Sequence, residues 1–175
     1  PLGKTLIYWV KITAGISFSV ISTILLSFFA FTLAFCLHGA EGFDAAFQLI
    51  YTSSSEPVTC GQAILIAYGN MIVAAIVTSI FVIVLSELLR SNIATLAVST
   101  GLLIGAMLVV VPEQYRLLTQ IWDWLPWCFL APWNVFGKYT LSVFGHGFTA
   151  WQAVPMIYLF AGIVIASVGK PIYQR

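Results

Sequence analysis

The side chains that could do chemistry in this chain are few, and two of them stand in one short polar connector, residues 86–92. Glu87 and Arg90 are three residues apart, so on a continuing helix they would share one face. If they paired with each other in water, the ion pair would contribute only about 0–1 kcal/mol to the stability of the fold. The same charges could instead contact a partner subunit, where the loss of either would leave the other unpaired. Both interpretations stay open, a solvated hairpin and a docking surface that includes Ser86.

Motifs for catalysis and metal binding are missing from the sequence. It contains no Walker A sequence, no glycine-rich phosphate loop and no HExxH. Its serines and two histidines do not suggest a Ser-His-Asp triad. Cys36, Cys60 and Cys128 lack CxxC or CxxH spacing, which favours packing roles, although a Cys36–Cys60 disulfide stays open. We therefore expect no catalytic residue, no metal and no cofactor, and do not expect an enzyme.

Four long uncharged stretches must position the polar connector. They are residues 12–40, 57–86, 91–112 and 139–169, with lengths of 29, 30, 22 and 31 residues. A helix needs about 20 apolar residues to cross the hydrocarbon core, where the backbone must satisfy its own hydrogen bonds. Charged residues make up 7% of the chain, against about 25% in soluble domains. This composition disfavours a soluble fold.

The chain is therefore predicted to be all-α, a polytopic membrane helix bundle that forms one transmembrane domain over residues 1–175. The four transmembrane helices are expected at about residues 12–35, 63–85, 93–111 and 151–168. Residues 113–148 hold four tryptophans and are interrupted by Pro126 and Pro132. This pattern predicts short interfacial or re-entrant helices before the last span.

Two four-residue patterns predict where helices begin. Thr59-x-x-Gln62 has the form of a capping box at the start of the second span, and Thr149-x-x-Gln152 has the same form at the start of the fourth.

Polar and small residues inside the spans predict helix packing. Asn70 is the only strongly polar side chain deep in a span, and we expect it to bond to another helix. Gly101-x-x-x-Gly105 is a close-packing pattern that we expect to lie against another helix of the bundle. Each predicted span core lacks an ionisable side chain, so the chain is not expected to energise transport by itself.

The distribution of Lys and Arg predicts the orientation of the chain. Five basic residues fall on one predicted face and two on the other, which places both chain ends and the 86–92 connector in the cytoplasm. The five are Lys4, Lys11, Arg90, Lys170 and Arg175, and the two are Arg116 and Lys138. We expect a multi-pass protein of a bacterial cell membrane, in contact with the lipid bilayer. The net charge of +1 does not suggest nucleic acid as a partner.

Four segments together point to a known family. They are the basic lead-in at residues 1–11, the short turn at residues 85–92, the broken segment at residues 113–148 and Lys-Pro-Ile-Tyr at residues 170–173. Their arrangement resembles the last four spans of the ABC-2 type permease family, the membrane subunits of certain ATP-binding-cassette exporters.

The resemblance implies a permease subunit of an exporter, driven by a separate cytoplasmic ATP-binding subunit. Family members normally have six spans and work as dimers, so the chain is expected to be a fragment of a longer permease that pairs with a second copy or homologue. The residues expected to couple to the ATPase are Lys4, Lys11, Ser86, Glu87 and Arg90. The alternative is a non-transporting membrane scaffold or immunity-type protein that binds a partner in the bilayer.

Overall fold

Five α-helices make up most of the part of the chain that the computed structural model describes. That part is residues 2–39, 41–52, 54, 56–109, 114–123, 125, 136, 140–143 and 146–174. The helices are α1 (Leu2–His38), α2 (Cys60–Leu89), α3 (Asn92–Leu108), α4 (Arg116–Asp123) and α5 (Ala150–Gln174). A short 3-10 helix at Phe47–Leu49 and an antiparallel hairpin of β1 (Thr140–Val143) and β2 (His146–Thr149) complete the described elements.

Three of the described helices are long and apolar enough to cross a membrane, namely Gly3–His38, Cys60–Leu89 and Ala150–Tyr173. They correspond to three of the four predicted spans and are consistent with a membrane location. α3 has 17 residues. It is about 25 Å long, shorter than the roughly 30 Å hydrocarbon core. A fourth span at residues 93–111 is therefore not confirmed, and residues 110 and 111 lie outside the described part.

Helix α1 extends well beyond the predicted span at residues 12–35. It has 37 residues. Its length is about 55 Å, almost twice the thickness of the hydrocarbon core. The basic lead-in is thus part of the same helix, and Lys4 and Lys11 are carried on a rigid extension of a candidate membrane span.

The core lies where α1, α2 and α5 meet. Small residues at the contacts let the helix backbones approach closely, as is common in membrane bundles. One buried cluster lies mainly between α2 and α5 and contains Ala63, Ala74, Val77, Phe136, Ala150, Val154 and Tyr158. A second cluster joins α1 to both helices and contains Tyr8, Ile12, Ile80 and Ala166.

Two residues, Arg90 and Ser91, connect α2 to α3. Arg90 has a left-handed backbone with a φ of 51°, and its N–H donates to the Ser86 carbonyl at 2.9 Å. The Ser91 hydroxyl accepts the Ala94 N–H at 3.3 Å and caps α3. The connector is shorter than predicted, because Ser86 and Glu87 belong to the last turn of α2. Glu87 and Arg90 therefore do not lie on one continuing helix.

One of the two predicted capping boxes forms. The Thr59 hydroxyl accepts the Gln62 N–H at 3.3 Å, and the Gln62 side chain accepts the Thr59 N–H at 3.1 Å. The box predicted at Thr149 is wrong. Thr149 ends β2 opposite Thr140, and its buried hydroxyl has no hydrogen-bond partner among the described residues.

The short helices predicted at residues 113–148 are found only in part. Among the described residues of this segment, α4 is one helix, and the β1–β2 hairpin follows near the end of the segment. The β-branched side chains of Thr140 and Val143 favour the extended backbone. The described fold is a helical bundle, as predicted, with one small hairpin beside the helices. Residues 126–135, with both interrupting prolines, lie outside the described part.

Candidate functional site

Lys11 on α1 and Glu87 on α2 form an ion pair at one end of the bundle. The Lys11 Nζ lies 2.8 Å from the Glu87 Oε1, and the two side chains are 49% and 24% exposed. A charge-assisted hydrogen bond of this length belongs to the stronger class. Because water reaches both groups, the pair contributes only about 0–1 kcal/mol to stability. The structure thus joins two predicted coupling residues that are 76 positions apart.

Two tyrosines frame this ion pair. The Lys11 Nζ lies 4.9 Å from the ring centroid of Tyr173, within the range of a cation–π contact. Tyr8 is 1% exposed, and its hydroxyl donates to the Ala166 carbonyl at 2.6 Å. The ring centroids of Tyr8 and Tyr173 are 5.5 Å apart. We call Tyr8, Lys11, Glu87 and Tyr173 the charged cluster, which ties α1, α2 and α5 together.

Glycine allows the three helices to approach this closely. A Cβ added at Gly169 of α5 would lie 2.5 Å from both the Tyr8 hydroxyl oxygen and the Val84 Cγ2. A Cβ at Gly15 of α1 would collide with the Ile83 side chain. Neither glycine was singled out in the sequence, because an isolated glycine in an apolar helix does not reveal its neighbour. The spacing of Tyr8 and Lys11, three residues apart, could have suggested a shared face.

Gly101 and Gly105 lie on an exposed face of α3. A Cβ at either position would meet no atom within 4 Å among the described residues. The buried residues of α3, Thr95 and Ala106, lie on a different face of the helix. A helix packed against this glycine pair is therefore not found in the described part of the chain, and the predicted contact stays a prediction.

Asn70 is buried, with 4% of its surface exposed, but its amide stays within its own helix. The Nδ2 donates to the Ile66 carbonyl at 3.0 Å, and the predicted bond to another helix is not found among the described residues. The Oδ1 is buried and has no partner among the described residues. A buried acceptor left in this way costs free energy. Asn70 does not join the charged cluster.

The other predicted coupling residues differ in where they lie. Ser86 lines a cavity of about 710 Å³ together with Lys11 and Glu87, so three of the five converge on one space. Arg90 is exposed at the turn between α2 and α3. Lys4 is exposed on α1, about two helical turns before Lys11.

Cys36 and Cys60 are the cysteines that the structure describes, and Cys128 lies outside the described residues. Cys36 is exposed and Cys60 is buried, and both are free thiols, so the disulfide left open by the sequence is not formed. Within the described ranges, no group of three His, Cys, Asp or Glu residues could hold a metal ion.

Comparisons with known proteins do not supply a family for the chain. No family model, no curated protein and no solved structure matches it. Function is therefore inferred from the charged cluster, from the cavity beside it and from the apolar helices that carry both.

Proposed function

We propose that this chain is a membrane-spanning permease subunit of an ATP-binding-cassette exporter, driven by a separate ATPase subunit. The observation that carries the proposal is the Lys11–Glu87 pair, a 2.8 Å contact between two candidate membrane spans. A partner that binds at this pair acts on both helices at once. Such a contact can convert binding into a change of helix packing, because packed interfaces shift between discrete arrangements.

The rigidity of the surrounding structure supports this role. α1 continues without a break from Leu2, and the connection from α2 to α3 is only two residues long. Caps on both sides of that connection hold Arg90 at a defined place beside the end of α2. A flexible loop could move without moving the helices, whereas a displacement of this short, capped connection also displaces α2 and α3.

In this proposal the charged cluster faces the cytoplasm of a bacterial cell, and the chain crosses the cell membrane several times with both ends inside. The five-to-two distribution of basic residues supports this orientation. The Lys11–Glu87 pair then lies where a soluble ATPase can reach it. The chain itself supplies no phosphate-binding loop, so ATP hydrolysis is assigned to the partner.

A second permease copy or homologue is the other partner in this proposal. The apolar surface of α1 supports it, because Phe18, Phe28 and Phe29 are each at least 69% exposed. Lipid covers part of this surface, and the additional spans of a longer permease or a second copy would cover the rest.

The test is to purify the tagged protein from its own membranes in a mild detergent, together with any ATPase encoded beside it. We expect vanadate-sensitive ATP hydrolysis that depends on both proteins, and none from the chain alone. A stable complex with a membrane partner but without ATP hydrolysis would favour the scaffold or immunity-type alternative. No hydrolysis above that of a mock purification would contradict the proposal.

A further inference from the structure

Two cavities meet beneath the charged cluster. The outer cavity, about 710 Å³, lies between α1, α2 and α3, and Lys11 and Glu87 are in its wall. The inner cavity, about 440 Å³, lies among α2, α3, α4 and α5. Three residues, Val82, Ser99 and Leu103, line both cavities. We call these three residues the waist, because they lie where the lining of the charged outer cavity continues into the lining of the inner cavity. The inner cavity is partly open, since Leu102 and Ile157 are 51% and 43% exposed.

The inner cavity has the chemistry of a hydrocarbon site. Its wall consists of aliphatic and aromatic side chains such as Leu102 and Ile157, and the polar groups in its described lining are the hydroxyls of Thr78, Ser99 and Tyr158. The Thr78 hydroxyl already donates to the backbone of α2. Ligand pockets in proteins typically measure about 300–1,000 Å³. The inner cavity therefore suits an apolar group of moderate size, such as one acyl chain.

The waist contains a polar atom that has no partner in the part of the chain that the structure describes. The Ser99 hydroxyl oxygen is buried, and no hydrogen-bond partner for it is found among the described residues. Buried hydroxyls are normally hydrogen-bonded. Because this oxygen is buried, a ligand would bond to Ser99 only after its side chain turned toward a cavity.

The outer cavity presents opposite charges to a ligand. Lys11 and Glu87 are the charged residues in its described lining, so their charges cancel. A purely anionic head group at this place would be repelled by Glu87, and a purely cationic one would be repelled by Lys11. A zwitterionic head group offers a phosphate to Lys11 and an ammonium to Glu87, so that each charge keeps an opposite neighbour.

We propose that the two cavities bind a single-chain zwitterionic phospholipid of the lysophosphatidylethanolamine class. The head group lies against Lys11 and Glu87, and the acyl chain passes the waist into the inner cavity. Between Glu87 and Val77, α2 rises about 15 Å, so the site extends well into the bundle. This binding site does not depend on the proposed ATPase partner, since the ligand can be cargo or a resident lipid.

The part of the proposal that concerns the acyl chain is tested with the protein in phosphatidylglycerol nanodiscs. The probe is a lysophosphatidylethanolamine with a diazirine in the middle of its acyl chain, and labelled peptides are mapped by mass spectrometry after photolysis. Leu103→Trp fills the waist, whereas Ile104→Trp is the matched control, because Ile104 is 53% exposed and lines neither cavity. We expect labelling of α2 and α3 to fall about fivefold or more in Leu103→Trp and to persist in the control.

The part of the proposal that concerns the head group is tested by competition in the parent protein. This test needs no substitution in the cavities, so it still applies if Leu103→Trp fails to fold. In the parent protein, unlabelled lysophosphatidylethanolamine should compete at least about fivefold better than palmitate. Glu87→Gln should shift the preference toward palmitate, because Lys11 then lacks its anion. Equal labelling in two folded Trp variants, or equal competition by the two lipids in the parent, would overturn the proposal.

Discussion

Replacing Gly169 with Ala is expected to destabilise the bundle, although Ala is the better helix former. The new Cβ would lie 2.5 Å from the Tyr8 hydroxyl oxygen and from the Val84 Cγ2, and 3.1 Å from the Val84 Cγ1. The two shorter distances are closer than a Cβ normally tolerates. Tyr8 is 1% exposed and hydrogen-bonded, so it has little room to move aside. Either α5 moves away from α1 and α2, or Tyr8 loses its bond.

Three contributions set the size of the effect. Ala is favoured over Gly in a helix by about 1 kcal/mol. Overpacking a tight contact costs about 1–3 kcal/mol. The displaced Tyr8 hydroxyl forfeits a hydrogen bond worth about 0.5–1.5 kcal/mol. The free energy of unfolding should therefore fall by about 2 kcal/mol, within a range of about 0.5–3.5 kcal/mol.

Gly101→Ala is the matched control, because it makes the same change inside a helix where a Cβ meets no described atom within 4 Å. It should raise the free energy of unfolding by up to about 1 kcal/mol. Both variants are compared with the parent by titration with sodium dodecyl sulfate in mixed micelles. The two changes should have opposite signs. A Gly169→Ala variant as stable as the parent would refute the packing of α5 against Tyr8 and Val84.

Three further predictions concern single positions. Tyr8→Phe should lower the free energy of unfolding by about 0.5–1.5 kcal/mol in the same titration, and an unchanged value would argue against its buried hydrogen bond. Arg90→Gly should raise the free energy of unfolding by about 1 kcal/mol, because Arg90 has a left-handed backbone, which penalises residues with a Cβ. Arg90→Ala should not raise it, because Ala keeps the Cβ. In intact cells and a cysteine-free background, a membrane-impermeant maleimide should label Leu49→Cys but not Ser91→Cys. The reverse labelling would contradict the proposed orientation.

The apolar helices could be predicted from the sequence because their signal is local. A charge-free stretch of 29 to 31 residues indicates a membrane helix without knowledge of its neighbours. The capping box at Thr59 is equally local and is confirmed. The same pattern at Thr149 stands directly before α5, but the Thr149 hydroxyl makes no hydrogen bond among the described residues. The hairpin that precedes α5 depends on strand pairing, which a four-residue pattern does not contain.

The candidate site could be predicted only in part, because it depends on which helices face each other. The spacing of Glu87 and Arg90 suggested a local pair, but the left-handed backbone of Arg90 ends the helix and Glu87 pairs with Lys11 instead. Gly101-x-x-x-Gly105 has the spacing of a contact, yet α3 is rotated so that both glycines point outward. Gly169 has no such pattern and makes the tighter approach. Spacing along one helix does not specify its rotation against another.

The measurement that tests the proposed function most directly exchanges the two charges of the ion pair. Glu87→Lys alone places two cations together, whereas Lys11→Glu with Glu87→Lys restores opposite charges. The double variant should unfold within about 0.5 kcal/mol of the parent, because exposed ion pairs contribute little. A docked ATPase would meet an inverted charge pattern, so ATP-driven transport in reconstituted vesicles should stay at least about tenfold below the parent. Full recovery of transport by the double variant would contradict docking of an ATPase at this pair.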